Sequence, residues 1–386
     1  MKRAAKSAAA AMIALLAGAL VAPVAAQASD GEPYPDVENP LDCGTSFTLH
    51  ARRLRPTEEI PARASGYHFA SDLMLEVAEI REQWPGVVSV ECVGRSERRR
   101  PMWAITVRNP TLPVQRRVLV FGQLHALEWL GSEVVLATLR ELAEAPPKGI
   151  EVVLMPVLNP DGRLSVEADL VADRTGVYRR GNSHHVDLNR DFAVNREATS
   201  LWAGLPFFGP YFRTSPAPLS QAETQVLDAV AATGFDASIS LHAFGNYIFY
   251  PWSGTAEPTA DNERIVELAQ AMAQAQGASR GFRIVQLGRW APFFKAHGSE
   301  IDHLYGAHGA ASYLMELSGS GIELFDRSTW GDYFRWYNPR DPSAAVEDGV
   351  RGVLGLIRRL ALEVASHEPG VHGGVASGVE RPHGGE

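Results

Sequence analysis

Short apolar segments typical of strands alternate with amphipathic helical segments through most of this 386-residue sequence. This alternation constrains the fold more than any other feature. Strands joined through helices pair in a largely parallel sheet, and helices must cover both of its faces. The length suits one large α/β domain or two small ones, and the sequence shows no internal repeat. We therefore predict an α/β fold, a single-domain α/β/α sandwich with a mixed, mostly parallel twisted sheet.

The expected elements follow from hydrophobic periodicity and from glycine and proline positions. Strands are expected at residues 87–93, 102–107, 118–122, 152–157, 237–241 and 311–317, and helices at 70–84, 131–144, 220–232, 262–275 and 346–365. The tetrapeptide Asn159-Pro160-Asp161-Gly162 is expected to form a turn. Residues 163–220 are expected to be a long irregular stretch, which in a compact domain is usually functional.

The two ends of the sequence differ in composition from the predicted domain. Residues 1–28 combine a basic start, an apolar stretch and a small-x-small signal at Ala26 to Ala28, as in a secretory signal peptide. No later run is long and apolar enough to span a bilayer, so no membrane span is expected after signal cleavage. We predict a signal peptide at 1–28, an N-terminal extension at 29–65, a folded domain at 66–366 and a disordered tail at 367–386.

Charge and cysteine content exclude some classes of protein. Removal of the signal peptide takes away three basic residues and changes the formal net charge from -9 to -12. Such an acidic chain is a poor nucleic-acid binder, and the basic run Arg98-Arg99-Arg100 is expected to be a solvated hairpin tip. Cys43 and Cys92 are the two cysteines. An even count in an exported protein permits one disulfide, between the extension and the first strand.

Candidate metal ligands and one further carboxylate stand at the ends of three predicted strands. His125 and Glu128 follow one strand, His242 ends a second, and Glu316 ends a third. If these strands are neighbours, the four side chains converge at one edge of the sheet. A catalytic zinc site needs three protein ligands and an open position for water. Glu316 then suits a general base, because its apolar flanks favour a raised pKa.

Basic and amide side chains lie in the long irregular stretch between these ligands. Tyr178-Arg179-Arg180-Gly181-Asn182 is followed by Val186-Asp187-Leu188-Asn189-Arg190-Asp191-Phe192. One arginine aimed at a carbonyl oxygen would stabilise the negative charge that develops during amide hydrolysis. A second arginine with an amide beside it can hold a substrate carboxylate.

These motifs together resemble the zinc metallocarboxypeptidase family of the carboxypeptidase A/B type, the funnelins, and specifically an exported bacterial member. Five motifs occur in the family's order over residues ~65–365, and the separations of 117 residues (His125 to His242) and 14 residues (Asp302 to Glu316) suit the family. The motifs are His125–Glu128, Asn159–Gly162, Arg180–Phe192, Ser240–His242 and Ile301–Leu317. The resemblance implies that residues 66–366 form a zinc carboxypeptidase-like catalytic domain.

The resemblance assigns the metal site residue by residue. His125, Glu128 and His242 would bind one Zn²⁺ per chain, a ligand set that matches the known example of carboxypeptidase A. Glu316 would be the general base and then the proton donor. Asp187 would hydrogen-bond the far nitrogen of His125 and so fix its ring.

The resemblance also assigns substrate contacts. Arg180 would polarise the scissile carbonyl, with Arg179 as the alternative if the alignment shifts by one position. Asn189 and Arg190 would bind the terminal carboxylate of the substrate.

Three positions bear on specificity. Phe294 stands where the family often has a tyrosine that closes over the substrate. Leu127 replaces an arginine that touches the upstream peptide in the digestive members. Ile301 precedes Asp302 at the position that lines the side-chain pocket, and an apolar residue there favours an apolar or aromatic C-terminal residue. Because the ligand set is already complete, the remaining histidines of this region are interpreted as structural: His297, His303 and His308.

The implied function is hydrolysis of the C-terminal peptide bond of peptides or proteins by an exported zinc enzyme, periplasmic or secreted. The substrate would be a peptide with a free C-terminal carboxylate. A cell-wall peptide peptidase or an N-acyl amino acid amidohydrolase on the same scaffold is the alternative within hydrolases. A non-catalytic zinc-binding domain is the alternative from another class.

Overall fold

The computed structural model describes residues 43, 47, 57, 59–197, 200–201, 213–276, 281–319, 321 and 329–367. Its centre is an eight-stranded sheet in the order β1-β2-β4-β3-β5-β8-β6-β7. The strands are β1 (Val88–Arg95), β2 (Pro101–Arg108), β3 (Arg116–Gly122), β4 (Ile150–Met155), β5 (Ala237–Ala243), β6 (Tyr247–Tyr250), β7 (Arg283–Gln286) and β8 (Ala311–Leu317).

The described residues form eight α-helices around this sheet. They are α1 (Ala70–Gln83), α2 (Leu130–Glu144), α3 (Pro160–Val171), α4 (Ala222–Ala231), α5 (Asn262–Gln276), α6 (Glu300–His308), α7 (Tyr333–Tyr337) and α8 (Ser343–His367). Most predicted elements agree with these to within a few residues. Sequence periodicity missed the short strands β6 and β7 and the helices α6 and α7.

The four central strands β4, β3, β5 and β8 run parallel, and antiparallel pairs flank them. Helices cover both faces of the sheet, as alternate residues of β3 demonstrate. Val118 and Val120 enter the larger core with residues of α1, α2, α5 and α8. Leu119 and Phe121 enter a second core with residues of α4 and α6. The predicted α/β/α sandwich with a mixed sheet is confirmed.

The turn predicted at 159–162 is wrong, because the helix α3 begins there. The side chain of Asn159 accepts a hydrogen bond from the backbone N–H of Gly162, and Pro160 occupies the first helical turn. An asparagine cap followed by proline is also a helix-start signal. The irregular stretch is shorter than expected for the same reason.

The interpretation of Arg98–Arg100 as a solvated tip is wrong for Arg100. Its side chain is buried and donates to Asp161 Oδ1 at 2.7 Å. Asp161 lies in the first turn of α3, so this ion pair fixes the β1–β2 hairpin against that helix.

The predicted disulfide is present between Cys43 and Cys92, with a Cα–Cα distance of 5.5 Å, and Cys92 lies on β1. The predicted signal peptide, most of the predicted extension and nearly all of the predicted tail lie outside the described residues. Within the described part of the chain, no helix is long and apolar enough to cross a membrane.

Candidate active site

The predicted metal ligands and the predicted base meet at the carboxyl ends of three adjacent strands. In the sheet β3 lies beside β5, and β5 lies beside β8. His242 and Glu316 are register partners on β5 and β8, so their side chains stand next to each other on one face of the sheet. His125 and Glu128 occupy the loop after β3. Parallel strand order therefore brings together four residues that are up to 191 positions apart in the sequence.

Three side chains face one another at this position, and we call His125, Glu128 and His242 the central cluster. His125 Nδ1 lies 2.8 Å from Glu128 Oε1, His242 Nδ1 lies 3.0 Å from Glu128 Oε2, and the two Nδ1 atoms are 3.1 Å apart. All three residues are buried. Two imidazole nitrogens and one carboxylate in this arrangement match the donor set of catalytic zinc sites.

A carboxylate holds the far nitrogen of each imidazole. Asp187 Oδ1 lies 3.0 Å from His125 Nε2, as predicted. Glu300 Oε1 lies 3.1 Å from His242 Nε2, and Ser240 Oγ lies 2.7 Å from the same nitrogen. These partners direct both Nδ1 atoms toward Glu128, which is the usual means of orienting metal-ligating histidines. Sequence reasoning missed Glu300, because it begins a helix that periodicity did not detect.

The electrostatics of the central cluster favour a bound cation. Burial opposes ionisation of Glu128, but His125 and His242 beside it hold the pKa of its carboxyl well below its usual range. Burial also opposes charge on His242, yet hydrogen bonds to Glu128 and Glu300 raise its pKa to about 10. The surrounding carboxylates thus stabilise positive charge at this point, which a zinc ion would supply.

Glu316 lies beside this cluster in an environment suited to a base. Burial, and then the negative charge of Glu128, raise the pKa of its carboxyl to about 8. The residue is half-buried, and its Oε2 atom has no hydrogen-bond partner among the described residues. General acid–base catalysis is most efficient when the pKa of the catalytic group lies near the working pH, and the raised pKa brings Glu316 toward that range.

The sequence left open whether Arg180 or Arg179 lies beside the metal site, and the structure distinguishes the two. Arg180 Nε donates to Asp187 Oδ2 at 2.8 Å, and its Nη1 lies 3.3 Å from Glu128 Oε1. The Arg179 side chain is buried and pairs instead with Asp169 on α3. Arg180 is therefore the arginine beside the central cluster.

Asn189 and Arg190 lie in a one-turn 3-10 helix that starts next to the central cluster. Asp187 caps this turn by accepting a hydrogen bond from the backbone N–H of Asn189. Asn189 Oδ1 accepts from the backbone N–H of Glu300 at 3.0 Å, so the turn is joined to the start of α6. The side chains of Asn189 and Arg190 are both largely buried.

The predicted specificity residues lie in apolar surroundings near the start of α6. Ile301 is completely buried in a small core with Tyr247, Phe249 and Leu314. Phe294 is half-buried and packs edge-on against Trp290, with ring centroids 5.0 Å apart. Leu127 is buried in the main core, so nothing at this position projects a charge toward the substrate.

The fold and the site define a zinc-dependent hydrolase with a glutamate beside the central cluster. The zinc carboxypeptidase family model matches residues 75–329. Carboxypeptidase O of Bos taurus is 23% identical over 294 residues, which cover 67% of this chain and 72% of the relative. Carboxypeptidase A4 of Mus musculus is 24% identical over 274 residues, which cover 67% of this chain and 64% of the relative, slightly under two thirds of its length.

Solved structures show the same fold. Carboxypeptidase A from Helicoverpa armigera is 21% identical with a TM-score of 0.62, covering 80% of this chain and 78% of that one. Thrombin activatable fibrinolysis inhibitor is 18% identical with a TM-score of 0.64, covering 78% of this chain and 77% of that one. The present chain belongs to the zinc carboxypeptidase family. The predictions of the family, of a metallopeptidase and of zinc as its cofactor are confirmed.

Proposed function

We propose that this protein removes one C-terminal amino acid from peptides that end in a free carboxylate. The observation that carries the proposal is the register pairing of His242 with Glu316, which sets a carboxylate with a raised pKa beside the three-donor central cluster. Arg180 and the Asn189-Arg190 pair adjoin the same cluster. This set provides for metal binding, proton transfer and substrate anchoring, so it supports catalysis over a purely structural zinc site.

The proposed reaction divides the chemistry between the metal and the chain. Zinc held by His125, Glu128 and His242 would supply Lewis-acid activation of a water molecule and of the scissile carbonyl. Glu316 takes a proton from the water molecule as the water oxygen bonds to the carbonyl carbon. It then delivers that proton to the leaving nitrogen as the C–N bond breaks. Arg180 stabilises the negative charge on the carbonyl oxygen.

Substrate selection is proposed to depend on the terminal carboxylate. Arg190 would bind that carboxylate together with the amide of Asn189, because a guanidinium offers paired donors to a planar anion. The apolar surroundings of Ile301 and Phe294 support a preference for an apolar or aromatic C-terminal side chain. Blocked dipeptides that end in Phe should then be cleaved faster than matched dipeptides that end in Arg, and the reverse order would contradict this preference.

Arg190→Ala tests exopeptidase action directly. The loss of a charge-assisted contact should lower kcat/KM on a blocked dipeptide with a free carboxylate by roughly 10–100-fold. The C-terminal amide of the same dipeptide, already a poor substrate, should lose little more. Equal losses on both substrates would contradict carboxylate recognition. Muropeptides and N-acyl amino acids belong in the same assay, and faster turnover of either would favour the alternative hydrolase functions.

We also propose that the protein is exported to the periplasm or beyond the cell. The disulfide between Cys43 and Cys92 supports an oxidising compartment, and the composition of residues 1–28 supports a cleaved signal. The intact mass of the purified native protein should correspond to a chain that starts at Ser29, and a native protein that retains Met1 would contradict cleavage.

A further inference from the structure

A second group of metal-binding side chains lies outside the site described above. Asp228 lies on α4, and His303 and His308 lie on α6. We call these three residues the helix cluster. His303 Nε2 and His308 Nε2 approach the same carboxylate oxygen, Asp228 Oδ1, at 2.8 and 2.7 Å. One donor atom from each residue lies within 4.8 Å of the other two.

We propose that the helix cluster is a second divalent-cation site, selective for borderline metals such as Zn²⁺, Ni²⁺ or Cu²⁺. Two imidazoles with one carboxylate suit these ions, whereas Mg²⁺ and Ca²⁺ require mainly oxygen ligands. The site does not depend on the catalytic proposal, because it shares no residue with the central cluster.

The pKa shifts of His303 and Asp228 are compatible with the geometry of a metal site. Burial lowers the pKa of His303, which favours the neutral imidazole that binds metals. Burial opposes ionisation of Asp228, but hydrogen bonds from His303 and His308 hold its pKa below its usual value, so its carboxylate is charged at neutral pH. A bound cation would take the place of the direct contacts between both Nε2 atoms and Asp228 Oδ1.

The helix cluster is open on one side. The side chains of Asp228 and His308 are 32% and 15% exposed, whereas that of His303 is only 4% exposed. Water can therefore reach the cluster from the side of Asp228 and His308, where it would complete the coordination shell of a bound ion. Among the described residues, the ion pairs of Asp228 are those with the two histidines, so no lysine or arginine competes there for the carboxylate.

A metal at this position would join α4 to α6. The helix α6 begins with Glu300 and Ile301, at the edge of the central cluster, and ends with His308. A ligand that binds only the folded chain stabilises it. We therefore expect metal at the helix cluster to raise the unfolding temperature separately from metal at the central cluster.

Metal counting tests the proposal. Protein stripped with chelator and dialysed against micromolar ZnCl2 should hold two zinc ions per chain by elemental analysis. His308→Gln and Asp228→Asn should each hold one, His242→Ala should hold one, and the double variant His242→Ala/His308→Gln should hold none. The control is His184→Gln, which changes a histidine whose ring nitrogen faces Gln221 and Glu97 outside both clusters, and it should hold two.

Thermal unfolding separates loss of the site from loss of the fold. In chelator, His308→Gln should unfold at the wild-type temperature. Excess zinc should raise the unfolding temperature of His242→Ala by on the order of 5 °C at about 100 times Kd, and this rise should vanish in the double variant. One zinc in wild type, two zinc in His308→Gln or no zinc in His242→Ala would each overturn the proposal.

Discussion

The central cluster and the helix cluster contain the same side-chain types, two histidines and one carboxylate. They differ in burial and in the hydrogen bonds that their imidazoles make. The central cluster is buried, and Asp187 and Glu300 hold the far nitrogens of its imidazoles. In the helix cluster, His303 Nδ1 is buried without a hydrogen-bond partner within the described chain, and Asp228 is partly exposed.

This difference separates the proposed catalytic site from the proposed second metal site. The central cluster has a carboxylate with a raised pKa beside it, Glu316, and an arginine in contact with Glu128, Arg180. Ligand identity alone permits metal binding. Catalysis also needs a base within reach, fixed imidazole orientation and stabilisation of the developing charge.

Glu316→Gln tests the largest difference between the clusters. The amide is close in shape to the carboxylate but cannot accept the proton from water, so kcat should fall roughly 10²–10⁴-fold. Zinc at the central cluster should remain, because Glu316 is not a ligand. The measurements are steady-state kinetics on a blocked dipeptide and zinc content.

Glu223→Gln is the matched control for this substitution. Glu223 is also buried, and burial, then Asp161, raise its pKa to about 7. It lies on α4 and hydrogen-bonds Asn182, outside the central cluster. The control should keep near wild-type kcat. Near wild-type turnover in Glu316→Gln would contradict the assignment of Glu316 as the general base.

Asp187→Asn and Glu300→Gln test the orienting carboxylates, a feature for which His303 Nδ1 has no counterpart among the described residues. Each change weakens the hydrogen bond that fixes a ligating imidazole, so zinc affinity at the central cluster should fall roughly 10–100-fold. Competition with a zinc chelator measures this loss. Asp169→Asn, which disturbs the pairs with Arg174 and Arg179, is the control. Unchanged zinc affinity in both variants would show that the imidazoles need no such support.

Sequence reasoning located the residues whose positions follow from strand order. His125, Glu128, His242 and Glu316 were predictable, because parallel strands end at one edge of a sheet and residue spacing sets the face. The contacts of Glu300 with His242, and of Asp228 with His303 and His308, were not predictable from the sequence. They depend on how elements far apart in the sequence pack together. His303 and His308 were interpreted as structural without knowledge that Asp228 lies opposite them.

Helix α3 illustrates a different limit. Asn159 to Gly162 satisfies both a turn pattern and a helix-start pattern, and local composition does not choose between them. Tertiary contacts favour the helix, because buried Asp161 pairs with Arg100 across the β1–β2 hairpin. The same contact explains why one arginine of a charged run is buried.

The pH dependence of kcat/KM gives the last and smallest expected difference between the two clusters. Glu316 must be ionised to accept a proton, so activity is lost as pH falls through its pKa. Burial and Glu128 raise that pKa to about 8, and a bound dication would lower it from there. We expect an acid limb in the pH profile, below whose midpoint kcat/KM falls about tenfold per pH unit. This midpoint should lie between the ordinary glutamate pKa of 4.5 and the raised value of about 8. The residual activity of Glu316→Gln should lack this limb, while His308→Gln should keep it unchanged, because the helix cluster supplies no base. A limb that persists in Glu316→Gln would assign the titration to another group.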